Sequence, residues 1–191
     1  MPLDAMSELS DTMLLIRFAN GDRVAAAALT ERLAPRALGF AARMLDDGAE
    51  AEDVTQEAML RLWKIAPEWR QGEAEPATWL YRVVRNLCTD RLRKTRAVGL
   101  DQVAEPEDGT PSVEAKLIAQ DRAKALQIAL NGLPDRQREA VILRHIEGLA
   151  NPQIAQIMDI STEAVESLTA RGKRALSAAL ADQREELGYG E

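Results

Sequence analysis

The sequence is poor in the residues that build disulfide-bonded, metal-binding or catalytic sites. Its 191 residues include one cysteine, Cys88, and one histidine, His145. A single cysteine excludes an intramolecular disulfide, and the two residues together exclude a zinc site of several Cys and His ligands. No motif pairs a nucleophile with a base, and no glycine loop suits a phosphate. We therefore predict no metal, no cofactor and no enzymatic activity.

Long apolar runs and net positive charge are also absent. No stretch approaches the ~20 apolar residues that a membrane-spanning helix needs, and the N-terminus lacks a basic segment followed by an apolar core. We expect a soluble, cytoplasmic protein without membrane insertion. The formal net charge of -7 opposes indiscriminate coating of nucleic acid, which requires a basic surface.

The residues that are abundant favour helices. Alanine, leucine, arginine and glutamate dominate, and apolar residues recur at every third or fourth position, so the predicted fold class is all-α. The predicted helices are Asp11–Asn20, Asp22–Leu45, Ala49–Ile65, Ala77–Thr95, Ser112–Asn131, Asp135–Glu147, Pro152–Met158 and Thr162–Glu186.

One segment, "VGLDQVAEPEDGTP" at 98–111, interrupts this pattern. It carries four acidic residues, no basic ones, two prolines and two glycines. This composition predicts a flexible acidic linker between two small helical domains, 1–97 and 112–191. The alternative is a long surface loop inside one domain, although structureless loops of this length are uncommon in compact domains.

The C-terminal domain contains "NPQIAQIMDISTEAVESLTARGKRAL". Asn151 is predicted to cap a helix that starts at Pro152, and Ser161 to cap the next helix. Asp159 occupies the turn, where a left-handed backbone is needed and aspartate is tolerated. This is the pattern of a helix-turn-helix. Two ordinary packed amphipathic helices are the alternative.

The second helix of such a motif enters the major groove, where its outward residues contact bases and phosphates. The predicted contact residues are Ser161, Thr162, Glu163, Glu166, Ser167, Arg171, Lys173 and Arg174. Phosphates repel the two glutamates unless these accept from cytosine amino groups, so we expect weak affinity in isolation.

The N-terminal domain ends in a basic helix, because residues 79–96 hold six basic side chains and one acidic one. Trp79 and Tyr81 at its start provide aromatic surface for an unpaired base. This pattern indicates a nucleic-acid face. A merely solvated charged face is the alternative.

An earlier acidic helix, "AEDVTQEAMLRLWK" at 51–64, places Leu60 and Trp63 on or beside its polar face. Apolar side chains surrounded by polar ones are typical of a surface that binds a partner. The alternative is that both residues pack beneath an earlier helix of the same domain.

These segments, in this order, resemble the extracytoplasmic-function sigma factors of the sigma-70 family. The resemblance runs from about Asp11 to Leu180. It is carried by "GDRVAAAALTERLAPRALGFAARMLDDGAEAEDVTQEAMLRLW", "TWLYRVVRNLCTDRLRK" and "LPDRQREAVILRHIEGLANPQIAQIMDISTEAVESLTARGKRAL". It implies a subunit that directs bacterial core RNA polymerase to promoters and helps to open the -10 region, under the control of an anti-sigma factor.

The resemblance also implies site residues. Docking on the clamp helices of the polymerase is expected of Asp53, Gln56, Glu57, Leu60, Arg61 and Trp63. Contacts with the -10 element are expected of Trp79, Arg82, Arg85, Asn86 and Arg93, with the loop Glu68–Thr78. Contacts with the -35 element are expected of the helix-turn-helix residues named above.

Glu166 and Leu168 depart from the family pattern, since many relatives carry basic residues there, so the -35 sequence preference does not carry over. Two other functions remain open. One is a sigma mimic that only sequesters an anti-sigma factor, and the other is a free-standing helix-turn-helix repressor. Cys88 is predicted to be buried and His145 to be structural.

Overall fold

The computed structural model describes residues 8–70, 74–98 and 114–186, and every regular element in these ranges is helical. The helices are α1 (Asp11–Ala19), α2 (Arg23–Leu45), α3 (Gly48–Ile65), α4 (Pro76–Val98), α5 (Glu114–Asn131), α6 (Asp135–Val141), α7 (Asn151–Met158) and α8 (Thr162–Glu186). The all-α prediction is confirmed. The predicted linker lies outside the described residues, apart from Val98 at the end of α4.

Two predicted helix boundaries need correction. The predicted helix Asp135–Glu147 is α-helical only to Val141 and continues as a π-helical turn, Ile142–Ile146, before Gly148 at φ 71° reverses the chain. The residue at the N-cap of α7 is Ala150, not Asn151. The amide of Ala150 donates to the Gln153 side chain at 3.0 Å, so Asn151 is already helical.

Helices α1 to α4 form the N-terminal domain around a shared apolar core. Leu14, Leu29, Phe40, Leu62 and Val84 are each fully buried. On α3, Val54, Ala58 and Leu62 are buried at helical spacing, whereas Ile65 at its end is half-buried. Removing this apolar surface from water holds the four helices together.

The C-terminal domain packs α5, α6 and α7 against α8. Ile154, Met158 and Val165 are buried between the helices of the predicted helix-turn-helix, and Leu143 supports them from the π-helical turn. Gly172 lies where α8 crosses α6, and a β-carbon there would come within 2.6 Å of the Val141 side chain and 3.1 Å of the Gln137 carbonyl. Only glycine permits this close approach.

The two domains are in direct contact. Helix α7 packs against α4, and α2 contacts both α5 and α6. Within the described ranges, no helix is long and apolar enough to cross a membrane.

We expect Gly172→Ala to destabilise the fold by about 1–3 kcal/mol, because the β-branched Val141 and a backbone carbonyl cannot move away easily. This loss exceeds the about 1 kcal/mol that alanine gains in helix propensity. Urea unfolding monitored by circular dichroism measures the change. Gly48→Ala is the control, since its β-carbon meets nothing within 4 Å, and it should be neutral or slightly stabilising. Equal stability of the two variants would contradict the close approach.

Candidate nucleic-acid interface

Helix α3 presents an apolar residue on a polar surface. Leu60 is 67% exposed, and Asp53, Gln56 and Arg61 around it are also exposed. Glu57 is half-buried and pairs with Arg61 one turn along the helix. The helical pattern therefore predicted the orientation of Leu60 correctly.

Trp63 behaves differently from Leu60. It is half-buried, and its ring packs edge-on against Phe18 of α1 with the centroids 4.7 Å apart. The predicted outward projection of Trp63 is thus only partly right, because an earlier helix covers much of its ring. The packing alternative holds for Trp63 and fails for Leu60.

The basic helix α4 exposes Arg82, Asn86 and Arg93, the last paired with Asp90 at 3.0 Å. Its first aromatic residue, Trp79, is half-buried and meets the Trp69 ring edge-on at 6.1 Å. Part of Trp79 thus remains accessible. Residues 71–73 of the predicted loop Glu68–Thr78 lie outside the described residues.

Tyr81 is not the stacking surface that the sequence predicted. It is only 3% exposed, its ring packs edge-on against Phe40 at 5.6 Å, and its hydroxyl donates to Glu147 of the C-terminal domain. Burial, reinforced by Glu147, raises the pKa of the Tyr81 hydroxyl. A side chain that is enclosed in this way cannot stack on an unpaired base.

Arg85 is already engaged by the other domain. Its Nε lies 2.9 Å from Oε1 of Glu139 on α6, and only 21% of its side chain is exposed. Glu139 is 3% exposed, and burial, partly offset by Arg85, raises the pKa of its carboxyl to about 7. Sequence analysis missed Glu139, because no pattern in one domain shows what the other domain covers.

The helix-turn-helix has the predicted geometry. Asp159 adopts the left-handed backbone at φ 54°, and the Ser161 hydroxyl accepts from the Ala164 amide at 3.2 Å. Glu166 accepts from the Asn151 side chain at 3.4 Å. Hydrogen bonds at the helix N-terminus, first from the backbone of Glu163 and then from Ser161, lower the pKa of the Glu163 carboxyl.

Seven of the eight predicted contact residues on this motif are exposed, and Thr162 is half-buried. One cation that the sequence analysis missed, Arg144, is exposed on the π-helical turn. His145 beside it is also exposed, and its pKa is lowered first by partial burial and then by Lys173 and Arg144, so the imidazole is uncharged at neutral pH. The basic surface of α8 thus continues onto the supporting helix.

Cys88 is buried, as predicted, and burial raises the pKa of its thiol to about 12. In the described part of the chain, no group of three His, Cys, Asp or Glu side chains is arranged to hold a metal ion. The described residues thus expose an apolar side chain on α3, basic side chains on α4 and the outward face of α8.

Comparison with known proteins identifies both domains. The model of Sigma-70 region 2 matches residues 29–98, and that of Sigma-70 region 4 matches residues 123–176. The ECF RNA polymerase sigma factor SigM of Mycobacterium tuberculosis is 34% identical over 174 residues, covering 89% of this chain and 84% of the relative. SigK of Mycobacterium ulcerans is 27% identical, covering 81% and 84%.

Solved structures share the fold. CnrH, in complex with the cytosolic domain of CnrY, has a TM-score of 0.67 at 24% identity, with 90% of this chain and 97% of CnrH covered. The sigma factor RpoE, in complex with the anti-sigma factor NepR from Bartonella quintana, has a TM-score of 0.63 at 23% identity, covering 80% and 94%.

The chain belongs to the extracytoplasmic-function branch of the sigma-70 family. Its function is that of a sigma factor, which directs RNA polymerase to promoters at transcription initiation. The matches do not favour the sigma-mimic and repressor alternatives, since both conserved regions are present in order.

The raised pKa of Glu139 predicts that stability falls as the pH rises. Its pKa is 4.5 in the unfolded chain and about 7 when folded, so its contribution is fully present below pH 4.5 and is lost as the pH rises through 7. We expect the free energy of unfolding to fall by about 1 kcal/mol more between pH 6 and 8 in the natural chain than in Glu139→Gln. Urea titrations at both pH values measure this difference.

The Glu139→Gln chain is the reference because His145, whose pKa is lowered, titrates in both proteins and cancels in the comparison. The amide that replaces the carboxyl would still accept a hydrogen bond from Arg85 without ionising. Parallel pH profiles for the two proteins would contradict the raised pKa.

Proposed function

We propose that this sigma factor divides its work among three surfaces of two domains, 1–97 and 112–191, joined by the linker 98–111. The residues of α3 that dock on core polymerase are Asp53, Gln56, Glu57, Leu60, Arg61 and Trp63. The residues of α4 that contact the -10 element are Trp79, Arg82, Arg85, Asn86 and Arg93. The residues that read the -35 element are Ser161, Thr162, Glu163, Glu166, Ser167, Arg171, Lys173 and Arg174.

One observation carries the docking assignment, namely the 67% exposure of Leu60 amid polar side chains. A buried anchor with a polar rim is the usual arrangement of an interface hot spot. Burying a leucine side chain contributes about 2 kcal/mol. Leu60 gains this free energy only when a partner covers it. Trp63, three residues further along α3, is held by its edge-on contact with Phe18.

At the -10 element, Arg82, Asn86 and Arg93 offer donors to the phosphates and bases of a separated strand. Extruding a base costs a few kcal/mol, and stacking on an aromatic ring returns about 1–3 kcal/mol per base. The accessible part of Trp79 supplies that stacking, with Trp69 behind it at 6.1 Å. Contacts with the polymerase must supply the remaining free energy for base extrusion.

At the -35 element, the N-terminal end of α8 approaches base edges and its later cations approach phosphates. The ionised Glu163 accepts from cytosine amino groups, which is the contact that carboxylates make in the major groove. Because the whole chain carries a net charge of -7, promoter affinity is low until polymerase contributes its own DNA contacts.

The remaining assignments follow from this role. The chain acts in the cytoplasm, where core polymerase is, and has no catalytic role of its own. CnrH and RpoE are bound to CnrY and to the anti-sigma factor NepR, respectively, in their solved structures. We assign an anti-sigma factor to this chain on the same grounds.

The docking assignment is tested by Leu60→Ala. Because Leu60 is exposed, its loss should leave the unfolding free energy within about 0.5 kcal/mol but should weaken binding to core polymerase about tenfold or more. Ile128→Ala is the matched control, since Ile128 is 62% exposed on α5 and lies outside the proposed surface. Equal polymerase affinity of the two variants, measured by fluorescence anisotropy, would refute the assignment.

The -35 assignment is tested by Arg171→Ala in the holoenzyme. Loss of a phosphate contact should weaken promoter binding uniformly across -35 sequences and lower the slope of log affinity against log salt by about one. Lys124→Ala, which removes an exposed cation of α5, should leave the slope unchanged. The whole proposal fails if core polymerase and this chain give no promoter-dependent transcript.

A further inference from the structure

Helix α4 has an exposed stripe whose first residue lacks an individual role. Trp79, Arg82 and Asn86 follow one another at spacings of three and four, which places them on one face of the helix, and all three are at least partly exposed. Glu75 lies four residues before Trp79, and its carbonyl accepts from the Trp79 amide at 3.0 Å. The stripe of proposed -10 contacts therefore begins one turn earlier, at the exposed Glu75.

Thr12 of α1 holds the carboxylate of Glu75. Its hydroxyl donates to Oε2 of Glu75 at 3.0 Å. Leu14 and Leu15 anchor α1 in the core, since both are fully buried. The Ser10 side chain caps the first turn of α1, so Thr12 is held in place. A glutamate side chain has several staggered rotamers, and this hydrogen bond favours one of them.

Helix α1 also contacts the residues that support Trp79. It packs against α4 and against the 3-10 turn Ala66–Glu68. Trp69, which follows this turn, is 8% exposed and meets the Trp79 ring edge-on at 6.1 Å. The surroundings of Trp79 and the Glu75 carboxylate are thus supported by the same helix. This helix precedes residues 29–98, which the Sigma-70 region 2 model matches.

A carboxylate next to a stacking surface discriminates among bases. When ionised, it accepts hydrogen bonds and donates none. Enzymes and binding proteins read an extruded base through its Watson–Crick edge, and adenine, cytosine and guanine each present an amino group there. Thymine has no amino group, and its single N3–H lies between two carbonyl oxygens that repel a carboxylate. A glutamate at this place therefore favours an amino-bearing base over thymine.

We propose that Glu75 is a specificity-determining residue of the -10 site and that Thr12 is its positioning residue. Glu75 accepts from the amino group of the extruded base that stacks on Trp79, so thymine is disfavoured at that promoter position. This inference rests on the proposed role of α4 at the -10 element. Without the Thr12 hydroxyl, phosphates repel the carboxylate away from the base, and the preference is weakened.

Binding of the holoenzyme to a panel of promoter fragments tests the role of Glu75. The fragments come from a promoter that the holoenzyme transcribes, carry an unpaired -10 segment and present each of the four bases at each position in turn. At one position, thymine should bind about tenfold more weakly than the best amino-bearing base. Glu75→Gln should remove most of this difference, because its amide both donates and accepts.

The role of Thr12 is tested with the same fragments. Thr12→Val removes the hydroxyl at nearly constant shape and should reduce the preference against thymine several-fold, whereas Thr12→Ser should retain it. Thr30→Val is the matched control, because the Thr30 hydroxyl donates to the Ala26 carbonyl within α2 at 2.8 Å. All these variants should keep the affinity of the natural chain for core polymerase. A purely structural role of Thr12 would change the affinity for all four bases equally and leave their ratio unchanged.

The possible outcomes separate this inference from the proposed function. Arg82→Ala should weaken binding to every fragment, because it removes a cation from the same stripe. If this variant binds like the natural chain and no fragment is preferred, the proposed role of α4 fails. If Arg82→Ala weakens binding but Glu75→Gln keeps the base preferences of the natural chain, the role of Glu75 is overturned. An unchanged preference in Thr12→Val overturns the positioning role of Thr12.

Discussion

Helix α4 is packed on two sides, and this constraint organises the molecule. Leu80 and Val84 face the N-terminal core, whereas Tyr81 and Arg85 meet carboxylates from the other domain. In residues 76–88 of α4 only Arg82 and Asn86 are exposed, whereas residues 93–97 at its end are all exposed. The basic composition of the helix therefore does not reveal how much of its first half is covered.

Local features of the sequence predicted the helices and the helix-turn-helix well. The cap at Ser161 and the left-handed turn at Asp159 depend on chemistry within a few residues, which a single sequence displays. Leu60 was also predictable, because the inward stripe of α3 leaves it on the opposite face. These features require no knowledge of what packs on the helix.

Several features that sequence analysis missed depend on a second helix or domain. Tyr81 and Trp63 are aromatic residues beside polar faces, and nothing local distinguishes a base-stacking surface from packing beneath another helix. Glu139 follows the polar run "DRQR", which by itself indicates a solvated turn of helix. In the sequence, Gly172 is simply a residue of low helix propensity within α8. The structure shows that a β-carbon at this position would lie 2.6 Å from the Val141 side chain.

The crossing at Gly172 has a mechanical consequence. Val141 packs against α8 at Gly172. Glu139, two residues earlier on the same short helix, pairs with Arg85 of the N-terminal domain. With no side chain between them, α6 and α8 have little room to slide. Helix α8 is therefore held at a fixed position on the same short helix whose Glu139 pairs with Arg85 of the N-terminal domain.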